Sequence, residues 1–366
     1  MTDAELLSFH RSLVATPSVS GDEGPIADLV AAFLADRGVS VRRFHDNIWA
    51  ILGEVGPILC LNSHLDTVPP APGWTLPPWT PTLREGRVHG LGSNDAKAPA
   101  AAMTAAFLRV KAGGGLPGAR LALALVACEE TGGDGAEILV PEMQRLGLAP
   151  AAAVIGEPTG LDVSVAQKGL LMLELRETGM ACHAAHGRAL GARNALSLLA
   201  RDLVDLEAAD LGPDHPVLGP VTLEPTTAQG GTARNVIPAA ASCTLDVRTN
   251  PGESHEVLVE RLRKSVSGEL AVYIDRLVPC DVDPADPLVR AALEARPGAV
   301  AFGSRAVSDW VYFRDVPSIK AGPGRTERSH TPDEYVLESE ILDGARFYEA
   351  LARGWAAGAT GQGRAP

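Results

Sequence analysis

Apolar positions along this chain recur at two spacings, a helical one and a near-continuous one in short runs, and the two alternate. After Thr2 and Glu5, which form a capping-box pair, Leu6, Leu7, Leu13 and Val14 give an N-terminal helix its apolar face. Ile26, Leu29, Val30, Phe33 and Leu34, entered through Pro25 and closed by Gly38, predict a second helix. Short β-rich runs follow at 41–44 and 48–52, then an apolar run at 58–63. An Ala-rich helix over 96–110, a buried strand over 121–128, a helix over 136–146 and a strand over 151–155 continue the alternation. Strands alternating with helices predict an α/β domain, a mainly parallel sheet flanked by helices.

The pattern changes near Lys168. A strand at 170–176, a helix at 194–207, strands at 221–225 and 239–248, a helix at 254–267 and a strand at 270–277 give the order β-α-β-β-α-β, the ferredoxin-like motif. The earlier style then resumes, with a helix at 288–295, a strand near 316–320 and a final helix from about 338 to 356. The expected organisation is a discontinuous first domain, 1–167 and 279–366, with an inserted α+β domain over 168–278.

A chain of 366 residues is long enough for two such cores. With 46% hydrophobic and 21% charged residues, and no apolar run near the ~20 residues of a membrane helix, it reads as a soluble protein with no membrane partner. The formal net charge of -13 disfavours nucleic acid, whose phosphates need clustered Lys and Arg. The N-terminus opens acidic without the basic and apolar regions of a signal peptide, so a cytoplasmic location is expected. Cys60, Cys128, Cys182, Cys243 and Cys280 are scattered and read as reduced core thiols.

Four apolar runs of the first half end in charged clusters: His64-Leu65-Asp66, Gly92-Ser93-Asn94-Asp95, Cys128-Glu129-Glu130 and Gly156-Glu157. His330, far downstream, is a fifth candidate. Beyond the carboxyl ends of strands in an open α/β sheet, chain reversals leave a crevice, so these charges converge at one edge. Such a grouping is tolerable only beside a cation, and a pair of divalent metal ions is the simplest. His64 and Asp66 share a face of an extended segment, so one can bind metal while the other orients it. Asp95, between a turn-like stretch and a helix, is held as a bridging carboxylate requires. Glu129 and Glu130 diverge, which lets one bind metal while the other serves as a general base. Imidazole and carboxylate without thiolate suit zinc, with Co2+ or Mn2+ as substitutes. His10, His45, His89, His186, His215 and His255 lack such a setting and read as surface or structural.

In order along the chain, His64-Leu65-Asp66-Thr67-Val68-Pro69, Asp95-Ala96-Lys97, Glu129-Glu130, Gly156-Glu157-Pro158-Thr159, Asn235-Val236-Ile237-Pro238, Asp246-Val247-Arg248, Gly322-Pro323-Gly324 and His330-Thr331-Pro332-Asp333-Glu334-Tyr335 resemble the co-catalytic zinc amidohydrolases. That family groups acetylornithine deacetylase, succinyl-diaminopimelate desuccinylase, aminoacylase and glutamate carboxypeptidase. The resemblance covers nearly the whole chain and implies a zinc-peptidase-like catalytic domain with an inserted lid and dimerisation domain, hence a homodimer. It implies two Zn2+, with His64 and Glu157 on one, Glu130 and His330 on the other, and Asp95 bridging them. Asp66 then supports His64, Glu129 is the base, and the Asp95-Ala96 peptide is cis. His183 matches the histidine that crosses to the partner subunit's site and stabilises the oxyanion. Asn235 and Arg248 match lid positions that hold the substrate carboxylate, which the planar Arg248 fork suits. Lys168 and Gly322 are further substrate-binding candidates. Ala98 stands where the family usually has Gly, and Ala184-Ala185 where a serine-containing run is commoner.

The reaction implied is hydrolysis of a small N-acyl amino acid. The runs at 156–159, 167–169 and 330–335 look most like acetylornithine deacetylase, an enzyme of arginine biosynthesis. Desuccinylation of succinyl-diaminopimelate and dipeptide hydrolysis are the alternatives. A silent metal-binding homologue would be expected to lack Glu129 or His183. A thiol hydrolase built on Cys182 is disfavoured, because neighbours on a strand point to opposite faces and Cys182 could not readily pair with His183.

Overall fold

The structure, a computed structural model, describes residues 1–361 and divides the chain into two compact units. The first holds Met1–Val165, Val282–Phe302 and the chain from Ser308 onward; the second holds Ala166–Asp281 and Gly303–Val307. The short piece at 303–307, which the sequence boundaries assign to the returning segment, groups with the second unit. There the Lys168 N–H donates to the Ser304 carbonyl at 3.0 Å.

In the first unit Thr2 caps helix Asp3–Ala15, accepting the Glu5 N–H at 3.3 Å while Glu5 accepts the Thr2 N–H at 2.7 Å. The sheet runs Arg42–Phe44, Asn47–Leu52, Arg120–Val126, Ile58–His64, Ala152–Ile155, Ser318–Lys320, Val163–Gln167. From Arg120–Val126 to Ser318–Lys320 the four strands are parallel, so their carboxyl ends share one edge. The flanking pairings are antiparallel, at Asn47–Leu52 on one side and Val163–Gln167 on the other. Helix Lys97–Ala112 is buried almost all round. Its small residues Ala98, Ala100, Ala101, Ala102, Ala105 and Ala106 let it pack closely against the sheet and helix Glu338–Gly361. A small sheet of Thr82–Arg84, Arg87–His89 and Tyr335–Leu337 went unread in the sequence, since three residues are too few to show alternation. It ties the segment after His330 to the first half of the chain.

The second unit is an antiparallel sheet in the order Thr222–Gly230, Ala240–Thr249, Gly169–Thr178, Glu269–Leu277, with helices Ala195–Glu207 and His255–Arg263. The inward residues Leu171, Leu173, Leu175, Leu245 and Val247 alternate along their strands and form its core with Leu199 and Leu262. This is the β-α-β-β-α-β arrangement expected from the sequence.

Candidate two-metal active site

His64 closes strand Ile58–His64, Glu157 stands two residues past Ala152–Ile155, and Glu130 lies in the turn after Arg120–Val126. Asp95 enters helix Lys97–Ala112 through a cis peptide to Ala96. His330 precedes Tyr335–Leu337. The ligand atoms of His64, Asp95 and Glu157 all lie within 4.8 Å of one another, and so do those of Asp95, Glu130 and His330. Among the described residues only Asp95 belongs to both triads. Its Oδ1 is 3.3 Å from His64 Nε2 and its Oδ2 is 3.8 Å from His330 Nε2, which is also 2.9 Å from Glu130 Oε1.

The electrostatics fit divalent cations. His64 Nδ1 lies 3.1 Å from the Asp66 carbonyl oxygen, which can only accept, so this nitrogen carries a proton and Nε2 faces the Asp95 carboxylate. Burial lowers the proton affinity of His64, but the bonds to Asp66 and Asp95 outweigh it and leave its pKa well above the ordinary imidazole value. Nε2 thus calls for a cation, whether proton or metal. Withdrawal from water, with the charge of Glu157 adding, pushes Glu129 well above the usual carboxylate range. Glu157 is raised to about 8 by burial and by the Asp95 charge. The bond to Glu130 lifts His330 to about 9. Crowded carboxylates that hold protons this firmly are relieved by metal ions, and a donor set of imidazole and carboxylate suits zinc or a comparable divalent ion.

Asp66 reaches further than its expected partner. Its Oδ1 accepts the Glu129 N–H and its Oδ2 the Glu130 N–H, both at 3.1 Å, and the Ser20 hydroxyl donates to Oδ2 at 2.7 Å. The separation from His64 Nδ1 is 3.4 Å, so its better-made contacts are to the main chain of the two glutamates. Glu334, 2% exposed, was not singled out from the sequence. Its Oε1 accepts the N–H groups of Asn94 (2.8 Å) and Asp95 (3.0 Å), and its Oε2 that of Gly92 (3.1 Å). It therefore fixes the loop that carries the shared carboxylate. Asp309 was also unread. It accepts from Asn62 Nδ2 at 3.0 Å in a fully buried pair, and the remaining oxygen of each side chain has no partner. Asn62 lies two positions before His64 on the same strand. The contacts of Glu334 fall on anonymous backbone amides, so only its place in the 330–335 motif could have marked it.

The other sequence candidates are Gly322 in the first unit and Lys168, Arg248, His183 and Asn235 in the second. Gly322 is buried, and a Cβ there would meet the Glu157 carbonyl oxygen at 2.5 Å and the Tyr348 hydroxyl at 2.7 Å. It gives close packing beneath the Glu157 loop, a structural reason for glycine. In the second unit Lys168 is buried, with Nζ donating to the Pro220 carbonyl and to Asn250 Oδ1 (3.2 Å). Its ammonium is engaged within its own unit. Arg248 is held by Asp246 through both ends of its fork, at 2.8 and 3.1 Å. His183 and Asn235 are brought together: Cys182–His183 pairs with Val236–Ile237, and the Asn235 carbonyl accepts the Ala184 N–H at 2.8 Å. Both side chains are exposed. His183 Nδ1 accepts the Ala185 N–H at 3.2 Å, so its neutral ring carries hydrogen on Nε2.

Ligand triads that share a carboxylate, at the carboxyl edge of parallel strands and beside a half-buried glutamate, form a candidate site for two metal ions of the kind hydrolases use. The sequence profile of Peptidase family M20/M25/M40 matches residues 60–354, and the chain belongs to that family. A succinyl-diaminopimelate desuccinylase of Rhizorhabdus wittichii is 32% identical over 277 residues, covering 71% of this chain and 72% of that protein. A probable carboxypeptidase of Aspergillus terreus is 33% identical over 301 residues, covering 75% and 68%. The fold is shared with a dinuclear metal binding peptidase of the M20 family from Bacillus subtilis, at 16% identity and a TM-score of 0.74, over 96% of this chain and 97% of that one. No helix among the described residues is long and apolar enough to cross a membrane.

Proposed function

We propose that this hydrolase cleaves the amide bond of N-acyl amino acids, with N-acetylornithine as substrate, and that Glu129 is its base. The observation that carries the reaction is the pair of triads joined by Asp95, with Glu129 held beside them on the same backbone turn as the ligand Glu130. His64, Glu157, Asp95, Glu130 and His330 would hold two zinc ions, whose Lewis acidity acidifies a water molecule and polarises the acyl carbonyl. Glu129 takes the proton from the attacking water at its carboxylate and returns it to the leaving amine nitrogen. His183 from a second copy of the chain donates from Nε2 to the tetrahedral oxyanion, and Asn235 beside it, with Arg248, binds the substrate carboxylate. The enzyme is on this reading a homodimer.

The choice of acetylornithine is supported by the likeness of the 156–159 and 330–335 runs to acetylornithine deacetylase. The 32% identical desuccinylase supports a second reading, removal of succinate from succinyl-diaminopimelate. Hydrolysis of N-acetylornithine, N-succinyl-diaminopimelate and a dipeptide, with chelator and after zinc is restored, decides between them. Turnover of the acetyl compound alone supports the first; flat rates on all three sink the hydrolase assignment for these substrates. Glu129→Gln should keep its metal and lose about 10²–10⁴ in kcat. Near-full activity in that variant removes Glu129 as base.

A further inference from the structure

We infer that the loop at 17–23 is a bracket for the glutamate turn, and that Glu23 is a positioning residue that sets the backbone from which Glu129 projects. The inference rests on Glu129 being the base.

The loop is laced to the segment that carries Asp66. Ser18 Oγ donates to the Leu65 carbonyl at 2.8 Å, the Thr67 N–H to the Ser18 carbonyl at 2.9 Å, and the Ser20 N–H to the Thr67 carbonyl at 3.1 Å. Ser20 Oγ then reaches Asp66 Oδ2. Glu23 ends the loop at the N-cap of helix Gly24–Ala35, yet its side chain makes no capping bond there. It turns inward, 1% exposed. Both of its oxygens accept the Gly21 N–H at 3.0 Å, and Oε1 also accepts the Cys128 N–H at 2.9 Å and the Cys128 thiol at 3.3 Å. A carboxylate this deep is held by donors from two separate stretches of chain.

Cys128 is the residue that needs holding. Its φ is 57°, in the left-handed region that a residue with a β-carbon rarely adopts. The turn it makes sends the next two N–H groups to the two oxygens of Asp66. Three consecutive amides, 128 to 130, thus each donate to a buried carboxylate, the first to Glu23 and the others to Asp66. Without Glu23 the chain at Cys128 is free to relax to negative φ, which would swing Glu129 off its line. Glu23 contacts none of the candidate ligands, so its effect is transmitted through the backbone.

The test is Glu23→Ala in the metal-loaded enzyme, since glutamine would keep an oxygen for the Cys128 N–H. Expected are a fall in kcat of about 10–100-fold, as for a misplacement near 1 Å, an unchanged KM and an unchanged metal content. Faster hydrogen exchange is expected at the amides of 127–131, with or without metal. Because glycine takes positive φ freely, Glu23→Ala combined with Cys128→Gly should regain most of the lost kcat. Wild-type kcat and exchange in Glu23→Ala overturn the inference, and so does a loss that the glycine does not repair. If Glu23→Ala does not fold, Cys128→Val, which resists the left-handed turn, should lower kcat at constant KM, and retained kcat there overturns it equally. Glu129→Gln run alongside separates the two readings: an active Glu129→Gln removes the base, while exchange at 127–131 still judges the bracket.

Discussion

Glu334 offers a comparison that separates a carboxylate's charge from its shape. Truncation by Glu334→Ala leaves three buried N–H groups, of Gly92, Asn94 and Asp95, without their acceptor. Each such donor costs about 1–3 kcal/mol, and the three share one cavity that water partly refills, so a total of about 4 kcal/mol is expected. Glu334→Gln keeps an oxygen toward Asn94 and Asp95 and turns an amide N–H only toward Gly92, which costs about 1–2 kcal/mol. For a unit of this size each kcal/mol moves Tm by about 2–4 °C, so the metal-free alanine variant should melt about 10 °C early and the glutamine variant about 4 °C early. The same loop carries Asp95, so zinc affinity, measured by competition with a chromophoric chelator, should fall about 10–100-fold in the alanine variant and less in the other. Equal losses in the two variants would show that charge, not the acceptor geometry, holds the loop. Wild-type Tm and zinc affinity in the alanine variant would refute the reasoning altogether.

His10 is fully buried, and desolvation lowers its pKa to about 4 against the bond its Nε2 donates to the Ser93 carbonyl. The unfolded chain protonates this ring near pH 6.5, so stability is complete above that pH and is lost as pH falls toward 4, by about 3 kcal/mol. Urea unfolding of wild type and His10→Gln between pH 4 and 7 checks the sign, and identical slopes in the two proteins would exclude His10 as the source. Burial pushes Asp309 up to about 7. A neutral amide should therefore replace it well: Asp309→Asn is expected to match or exceed wild-type stability in the metal-free protein at pH 8. Asp309→Ala, which strands Asn62 Nδ2, should lose about 1–3 kcal/mol. Arg248→Lys keeps the charge but not the fork, and should raise KM about tenfold with little change in kcat if the fork holds the substrate carboxylate. A KM that does not move would leave Arg248 to its bond with Asp246.

Much of the architecture was legible because it is written in side chains. The parallel strands show as runs of Val, Leu, Ile and Ala, and the inserted unit shows as a switch to alternating patterns such as Leu171, Leu173, Leu175. His64, Glu130 and Glu157 were legible because they stand at or shortly after the ends of such runs, and Asp95 and His330 because their neighbours resemble known motifs. The antiparallel flanks of the sheet were not legible, since Asn47–Leu52 is as apolar as its parallel neighbours. Periodicity reports burial, and direction leaves no mark in it. The tie between Lys168 and the piece at 303–307 was hidden for a different reason: it runs through a main-chain carbonyl.

That distinction explains what the sequence left out of the site. Asp66, Glu23 and Glu334 are acids whose partners are chiefly backbone N–H groups, and an amide carries no residue identity to read. Their bonds decide where the readable acids point. Asp66 and Glu129 show the consequence side by side. Burial pushes Asp66 up, but His64, Ser20 and the Glu130 N–H more than offset it and hold it below its ordinary value. Glu129, with Glu157 and Asp309 near it, is driven the other way. Asp66, which accepts the N–H groups of the turn, and Glu129, which stands on it, are thus an anchor held in its charged form and a group pushed toward its protonated one. The difference between them lies in their surroundings: His64, the Ser20 hydroxyl and a main-chain N–H act against the burial of Asp66, whereas burial and other carboxylates act together on Glu129, so exchanging anchor and base would take new neighbours, beyond what a substitution at either position can supply.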